Sequence, residues 1–172
     1  MEQSPNNELK HIINLERVCA DRSAYTVTAS LEECQALAKR FGLISVESLE
    51  AKYQIERGQS SREGYHLTGK LQAIVVQRCV VTLKPVREEV EATLDLEVVD
   101  KKFEEEDPLD PEEEEDFEYS IQGEIDLGEL TAQYLSLSLN PYPRASDIET
   151  AEALEKFQDK ETPFSVLRRL KP

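Results

Sequence analysis

Alternation and helical spacing divide this chain into a small set of predicted elements. Residues 25–29 alternate and are rich in β-formers, which predicts a short strand. Ser30 follows as an N-cap with Glu33 three residues on. Leu31, Cys34, Leu37, Ala38 and Phe41 then recur at helical spacing until Gly42 supplies a left-handed end, so a helix is expected here. Residues 43–56 alternate again through Ile44, Val46, Leu49, Tyr53 and Ile55, with an irregularity near Ser48, and the polar stretch 58–64 reads as a turn. Residues 65–79 form a second long strand. Leu71, Ala73, Val75 and Gln77 share one face while Gln72, Ile74, Val76 and Arg78 share the other, so its middle is apolar on both sides and belongs inside a sheet. Pro85 disfavours a helix, and residues 89–99 make the third strand.

The second half is less regular. Residues 101–117 hold Pro108, Pro111 and a run of acids that repel one another, so they predict a disordered or mobile loop. A short strand is expected over 119–125. Asp126 then looks like an N-cap with Glu129 at the capping-box position, opening a helix through Leu130, Tyr134, Leu135 and Leu137 that Pro141 and Pro143 stop. Residues 1–20 show only a weak apolar pattern at Ile12, Ile13, Leu15 and Val18. Residues 145–161 show helical spacing only at Ile148, Ala151 and Leu154, and Pro163 opens a short amphipathic piece with Phe164, Val166, Leu167 and Leu170. The expectation is an α+β fold: a twisted antiparallel β-sheet, open or partly closed as a barrel, with two main helices and a long acidic disordered loop. Residues 1–172 read as a single domain with its core at about 24–143, a mobile acidic loop at 101–118 and a loosely attached C-terminal segment at 145–172.

Composition sharpens this picture. With 39% apolar and 33% charged residues, the chain is more polar than an ordinary domain, so part of it must lie uncovered. No run of 18 apolar residues exists and residues 1–10 are polar, which points to a soluble, cytoplasmic protein with no membrane contact. Cys19, Cys34 and Cys79 are odd in number and widely spaced, which suits reduced thiols. The net charge of −16 is uneven. Residues 104–118 hold eleven acids and no Lys or Arg, whereas residues 53–87 carry Arg57, Arg62, Lys70, Arg78, Lys84 and Arg87 against Glu56 and Glu63.

Candidate chemistry narrows quickly. His11, Cys19, Cys34, His66 and Cys79 stand singly rather than at zinc-ligand spacing, and a Cys79 nucleophile needs a partner base, for which His66 could reach across a sheet although nothing in the sequence favours that contact. The acidic run lacks the alternating oxygen ligands and central Gly of a calcium loop, and acids in an open run stay solvated instead of having their pKa values pushed apart. Phosphate-loop, nucleophile-elbow and zinc-protease motifs are missing. No catalytic residue, metal or cofactor is therefore expected. RNA binding is the sharper expectation: Arg57, Arg62, Lys70, Arg78, Lys84 and Arg87 could meet phosphates, Tyr53 or Tyr65 could stack on an unpaired base, and Tyr142 beside Arg144 could add a contact. The competing reading makes these residues solvated sheet faces and hairpin tips. The field of the whole chain opposes RNA, although screening within about 8 Å leaves room for a local basic face. The acidic loop could mimic nucleic acid and cover that face or dock on a basic protein, or it could simply solubilise the chain.

Two cassettes stand out: Val76-Gln77-Arg78-Cys79-Val80-Val81-Thr82-Leu83-Lys84-Pro85-Val86, and Ile125-Asp126-Leu127-Gly128-Glu129-Leu130 followed by Leu139-Asn140-Pro141-Tyr142-Pro143. In this order, separated by an acidic loop, they resemble the YceD family, the large ribosomal RNA subunit accumulation proteins, in the form typical of alphaproteobacteria. The matching positions are Gln77, Cys79, Leu83 and Pro85, then Asp126, Leu127 and Leu130, then Pro141 and Pro143. Many relatives carry Cys-x-Arg-Cys in the first cassette, and Val76 stands here in place of the leading Cys. The resemblance implies a non-catalytic factor supporting accumulation of large-subunit ribosomal RNA, with that RNA or its precursor as partner. A protein-binding adaptor that contacts a basic ribosomal protein or assembly factor is the alternative.

Overall fold

The computed structural model describes residues 8–18, 22–58, 64–100 and 117–145. In chain order the strands are β1 (Ile12–Asn14), β2 (Ser23–Thr28), β3 (Ser45–Arg57), β4 (Gly64–Arg78), β5 (Pro85–Asp100), β6 (Phe117–Ser120) and β7 (Glu124–Asp126). Among the described residues the α-helices are α1 (Leu31–Phe41) and α2 (Leu127–Ser138). Five strands form an open sheet in the order β2-β3-β4-β5-β6, and β1 pairs with β7 in a separate two-stranded sheet. The α+β class and the two helices are as the sequence implies, with β4 inside the sheet.

Three features depart from expectation. The sheet is open, one of the two forms expected, but it is mixed and not antiparallel throughout: β6 runs parallel to β5 from Glu97↔Phe117 to Asp100↔Ser120. A parallel neighbour needs a crossover of about a dozen residues or more, and residues 101–116 are long enough to provide it. Residues 119–125 are two strands, because Gln122 and Gly123 both take positive φ and turn the chain back so that Ile121 and Glu124 exchange backbone hydrogen bonds of 3.0 Å. Glu129 does not complete a capping box. Its carboxylate instead takes two bonds of 2.7 and 2.9 Å from Arg40 on α1, which also reaches Glu8 at 3.2 Å. Arg40 holds the Glu129 carboxyl below its ordinary range and is itself pushed up.

Elsewhere local chemistry explains local structure. Ser30 N–H donates to Glu33 Oε2 at 2.7 Å and Glu33 N–H donates to Ser30 Oγ at 3.3 Å, a full capping box, while Gly42 at φ 67° ends α1. The irregularity near Ser48 is a β-bulge between Val46 and Ser48. β5 begins earlier than residue 89 because Pro85 takes the first strand position opposite Arg78, where its missing N–H costs nothing.

One hydrophobic core lies between the sheet and the helices. Leu49, Ala51, Tyr53 and Ile55 of β3 meet Leu67, Leu71, Ala73 and Val75 of β4 and Val90, Leu94, Leu96 and Val98 of β5. Cys34, Leu37 and Ala38 of α1 and Leu127, Leu130, Ala132 and Leu135 of α2 cover this face. Leu31 and Leu137, which fit the helical spacing, stay exposed. The core also takes in Leu9, Ile13 and Leu15, ahead of residue 24. The opposite face carries Glu50, Lys52, Lys70, Gln72, Glu89, Glu91, Thr93 and Asp95 and is open among the described residues. Apart from Phe117, Glu118 and Ala145, the acidic loop and the C-terminal segment lie outside the described residues.

Candidate nucleic-acid interface

The β4–β5 connection is tight because Cys79 bonds across it in both directions. Its N–H donates to the Lys84 carbonyl at 2.8 Å and its carbonyl accepts from Leu83 N–H at 3.0 Å. Leu83 takes φ 61°, a left-handed conformation that a branched side chain rarely adopts, and it points an apolar side chain outward with 64% exposure. The Cys79 side chain is buried. Its sulfur accepts from Thr82 N–H and from Ala145 N–H, each at 3.3 Å. Hydrogen bonding from the Thr82 side chain, then from backbone N–H groups at Thr82, Ala145 and Val81, pulls the thiol down to about 6 against the opposing effect of burial.

The second cassette meets this turn directly. Asn140 Oδ1 accepts from Tyr142 N–H at 2.9 Å, an Asx turn that bends the chain at Pro141. Pro143 is buried and its carbonyl accepts from Val80 N–H at 3.0 Å. Gln77 Nε2 donates to the Asn140 carbonyl at 3.1 Å, and Asn140 Nδ2 donates to Glu88 Oε1 at 3.0 Å. Segments about sixty residues apart in sequence thus form one hydrogen-bonded junction at the end of the sheet. Of the matching positions, Gln77, Cys79, Leu83, Pro85, Pro141 and Pro143 belong to this junction. Asp126, Leu127 and Leu130 do not: Asp126 caps α2 through Gly128 and Glu129 N–H and also accepts from His11 N–H, while Leu127 and Leu130 are core residues.

The junction is basic within an acidic chain. Residues 76–87 and 139–145 contain Arg78, Lys84, Arg87 and Arg144 and no acidic residue, and Glu88, which accepts from Asn140, adds one carboxylate to the junction. Arg78, Lys84 and Arg144 are exposed, and Tyr142 is 71% exposed. Arg87 is drawn away by Glu47 at 2.8 Å and Glu89 at 4.0 Å. Other expected contacts are dispersed. Arg57 ends β3 opposite Tyr65, far along the sheet; Lys70 sits in mid-strand on the open face between Lys52 and Thr93; Arg62 lies outside the described residues. Tyr53 cannot stack on a base, because it is fully buried and its hydroxyl meets Thr131 Oγ1 at 2.6 Å, and Tyr65 packs half-buried against the core. His66 lies near the start of β4 and Cys79 just beyond its end, so they form no catalytic pair; His66 lies instead between Asp95 at 2.7 Å and Glu56 at 3.6 Å, and Asp95 raises its pKa. Among the described residues, no group of three or more His, Cys, Asp or Glu side chains could hold a metal ion.

The sequence alone brings forward Arg78, Lys84 and Tyr142 separately, but not their convergence. Arg144 is recognisable only as a neighbour of Tyr142, and Val80, 47% exposed, carries no signal apart from its place in the turn.

A family model described as large ribosomal RNA subunit accumulation protein YceD matches residues 67–171, more than half of the chain and both halves of the junction. No curated protein and no solved structure matches the chain.

Proposed function

This chain belongs to the YceD family, and from that premise we propose that it is a non-catalytic factor that supports accumulation of large-subunit ribosomal RNA by binding the RNA, or its precursor, through the junction of the two cassettes. The observation that carries this reading is the convergence itself. Val80, Gln77 and Cys79 bind the Asn140 to Ala145 segment so that Arg78, Lys84, Arg144 and Tyr142 come to one end of an otherwise acidic molecule. Three exposed cations suit phosphate contact. No helix among the described residues is long and apolar enough to cross a membrane, and the proposed role is exercised in the cytoplasm.

The test is binding of the full chain to large-subunit ribosomal RNA fragments across a salt series. With three phosphate contacts to a single strand, affinity should fall roughly 20-fold between about 50 mM and about 200 mM salt. The triple variant Arg78→Gln, Lys84→Gln, Arg144→Gln should abolish that dependence, while Arg87→Gln should alter it little because Glu47 already occupies that guanidinium. Lack of RNA binding at low salt would overturn the proposal. The open face, where Glu50, Glu89, Glu91 and Asp95 outnumber Lys52 and Lys70, favours the second reading of an adaptor for a basic ribosomal protein. In that case a basic ribosomal protein would bind, and charge reversal at Glu89 and Glu91 would release it.

A further inference from the structure

Resting on the proposed RNA contact, we infer that the junction takes unpaired nucleotides rather than duplex: one splayed base stacks on Tyr142, and the phosphates on either side of it lie against Arg78, Lys84 and Arg144. Three observations lead there. Tyr142 is 71% exposed, and its side chain makes no hydrogen bond among the described residues. Its backbone nevertheless is held firmly, by Asn140 Oδ1 on its own N–H and by the Val80 N–H on the next carbonyl, with a proline on each side. An exposed ring on a rigid frame loses little freedom when a base stacks on it, and unpaired bases are what aromatic side chains recognise in RNA.

The second observation is the size of the basic surface. Recognition of double-stranded RNA by shape uses a broad face that follows the helix for about 16 base pairs. The basic residues here are confined to a hairpin turn and the segment docked on it, and the sheet face that continues from them presents Glu47, Glu89 and Glu91. A duplex lying along that face would bring its phosphates against carboxylates, whereas a few unpaired nucleotides fit within the tip. The third observation is Leu83. A non-glycine residue held in the left-handed region with its apolar side chain 64% exposed is a strained placement of the kind that gathers at binding surfaces. It offers the edge of a base an apolar contact at the same end of the molecule.

The experiment measures fluorescence anisotropy with two labelled synthetic RNAs carrying equal numbers of phosphates, one a hairpin with an unpaired loop and one a continuous duplex. The full chain is compared with Tyr142→Phe, Tyr142→Ala and the triple charge variant, with circular dichroism to confirm folding. Loop RNA should bind at least about 10-fold more tightly than duplex, the scale of one base on an aromatic platform. Tyr142→Ala should lose that preference, Tyr142→Phe should keep it, and the triple variant should weaken both RNAs. Equal affinity for the two RNAs, or a loop preference that Tyr142→Ala leaves intact, would overturn this inference while leaving the RNA-binding role standing. If neither RNA binds at low salt, the role itself fails, and the inference with it.

Discussion

Replacing Gly128 with Ala tests how the N-terminal segment is built into the fold. Gly128 lies in the first turn of α2, where the backbone of residues 9–11 crosses it. A Cβ there would press into the Leu9 carbonyl, at 2.7 Å from its carbon, and come within 2.9 Å of His11 N, where ordinary contact begins at 3.4 Å. Backbone cannot swing aside as a side chain can, so the crossing segment must retreat by the better part of an ångström. That retreat strains the bond from Leu127 N–H to the His11 carbonyl at 3.0 Å and the bond from His11 N–H to Asp126 Oδ1 at 2.8 Å. Each is worth about 1 kcal/mol. It also lifts Leu9, only 3% exposed, partly out of the core, for a further ~1–2 kcal/mol. Against this, Ala favours a helix over Gly by about 1 kcal/mol. The net expectation is a loss of roughly 2–3 kcal/mol, which for a chain of this length lowers the melting temperature by about 4–12 °C. Urea and thermal unfolding followed by circular dichroism measure it. A G128A variant as stable as the parent, or more stable, would refute the close crossing, since helix propensity alone predicts a gain.

Two other perturbations probe buried hydrogen bonds. Thr131 Oγ1 donates to the Leu127 carbonyl at 2.6 Å, which leaves Tyr53 as the donor in their 2.6 Å contact. Thr131→Val should therefore cost more than Tyr53→Phe, by about 1 kcal/mol or more, because it leaves a buried phenol without an acceptor; the double variant should recover part of the loss, and the reverse order in urea unfolding would reject this polarity. Cys79 should be largely thiolate at neutral pH, so the 240 nm absorbance difference between the parent and Cys79→Ala should titrate near 6. Because the folded pKa lies below the ordinary 9.0, the stability that the thiolate contributes is complete above that ordinary value and is lost as pH falls toward 6. The stability gap to Cys79→Ala should widen between those limits, and a gap that stays flat would count against sulfur as the acceptor for Thr82 and Ala145.

Much of the fold was written in short-range pattern. The Ser30 capping box, the Gly42 end, the bulge at Ser48 and the interior position of β4 all follow from residues within a few positions of one another, because caps and alternation are set by one turn of helix or one pleat of strand. Asp126 as a cap and Pro141 and Pro143 as the stop after α2 were legible for the same reason, whereas the exposure of Tyr142 came only with the structure. The candidate site was legible only as fragments. Arg57, Lys70, Arg78, Lys84 and Arg87 look equivalent along the chain, yet pairing sends Lys70 to an acidic face, gives Arg87 to Glu47 and leaves Arg78 and Lys84 at the tip.

Charge sums over a segment miss this, since a strand's neighbours, and not its own sequence, decide which field its cations feel. The same holds for Tyr53, whose ring and hydroxyl were assigned to the core by α2, and for Glu129, taken from its own cap by Arg40. By itself the sequence determined the two helices α1 and α2, the long strands β3, β4 and β5 and the two cassettes. Tertiary structure alone decided the parallel β6, the open sheet and the junction of Cys79 and Val80 with Pro143 and Ala145. Those outcomes depend on contacts between residues far apart in the chain, whose geometry is fixed only when the sheet and helices pack together.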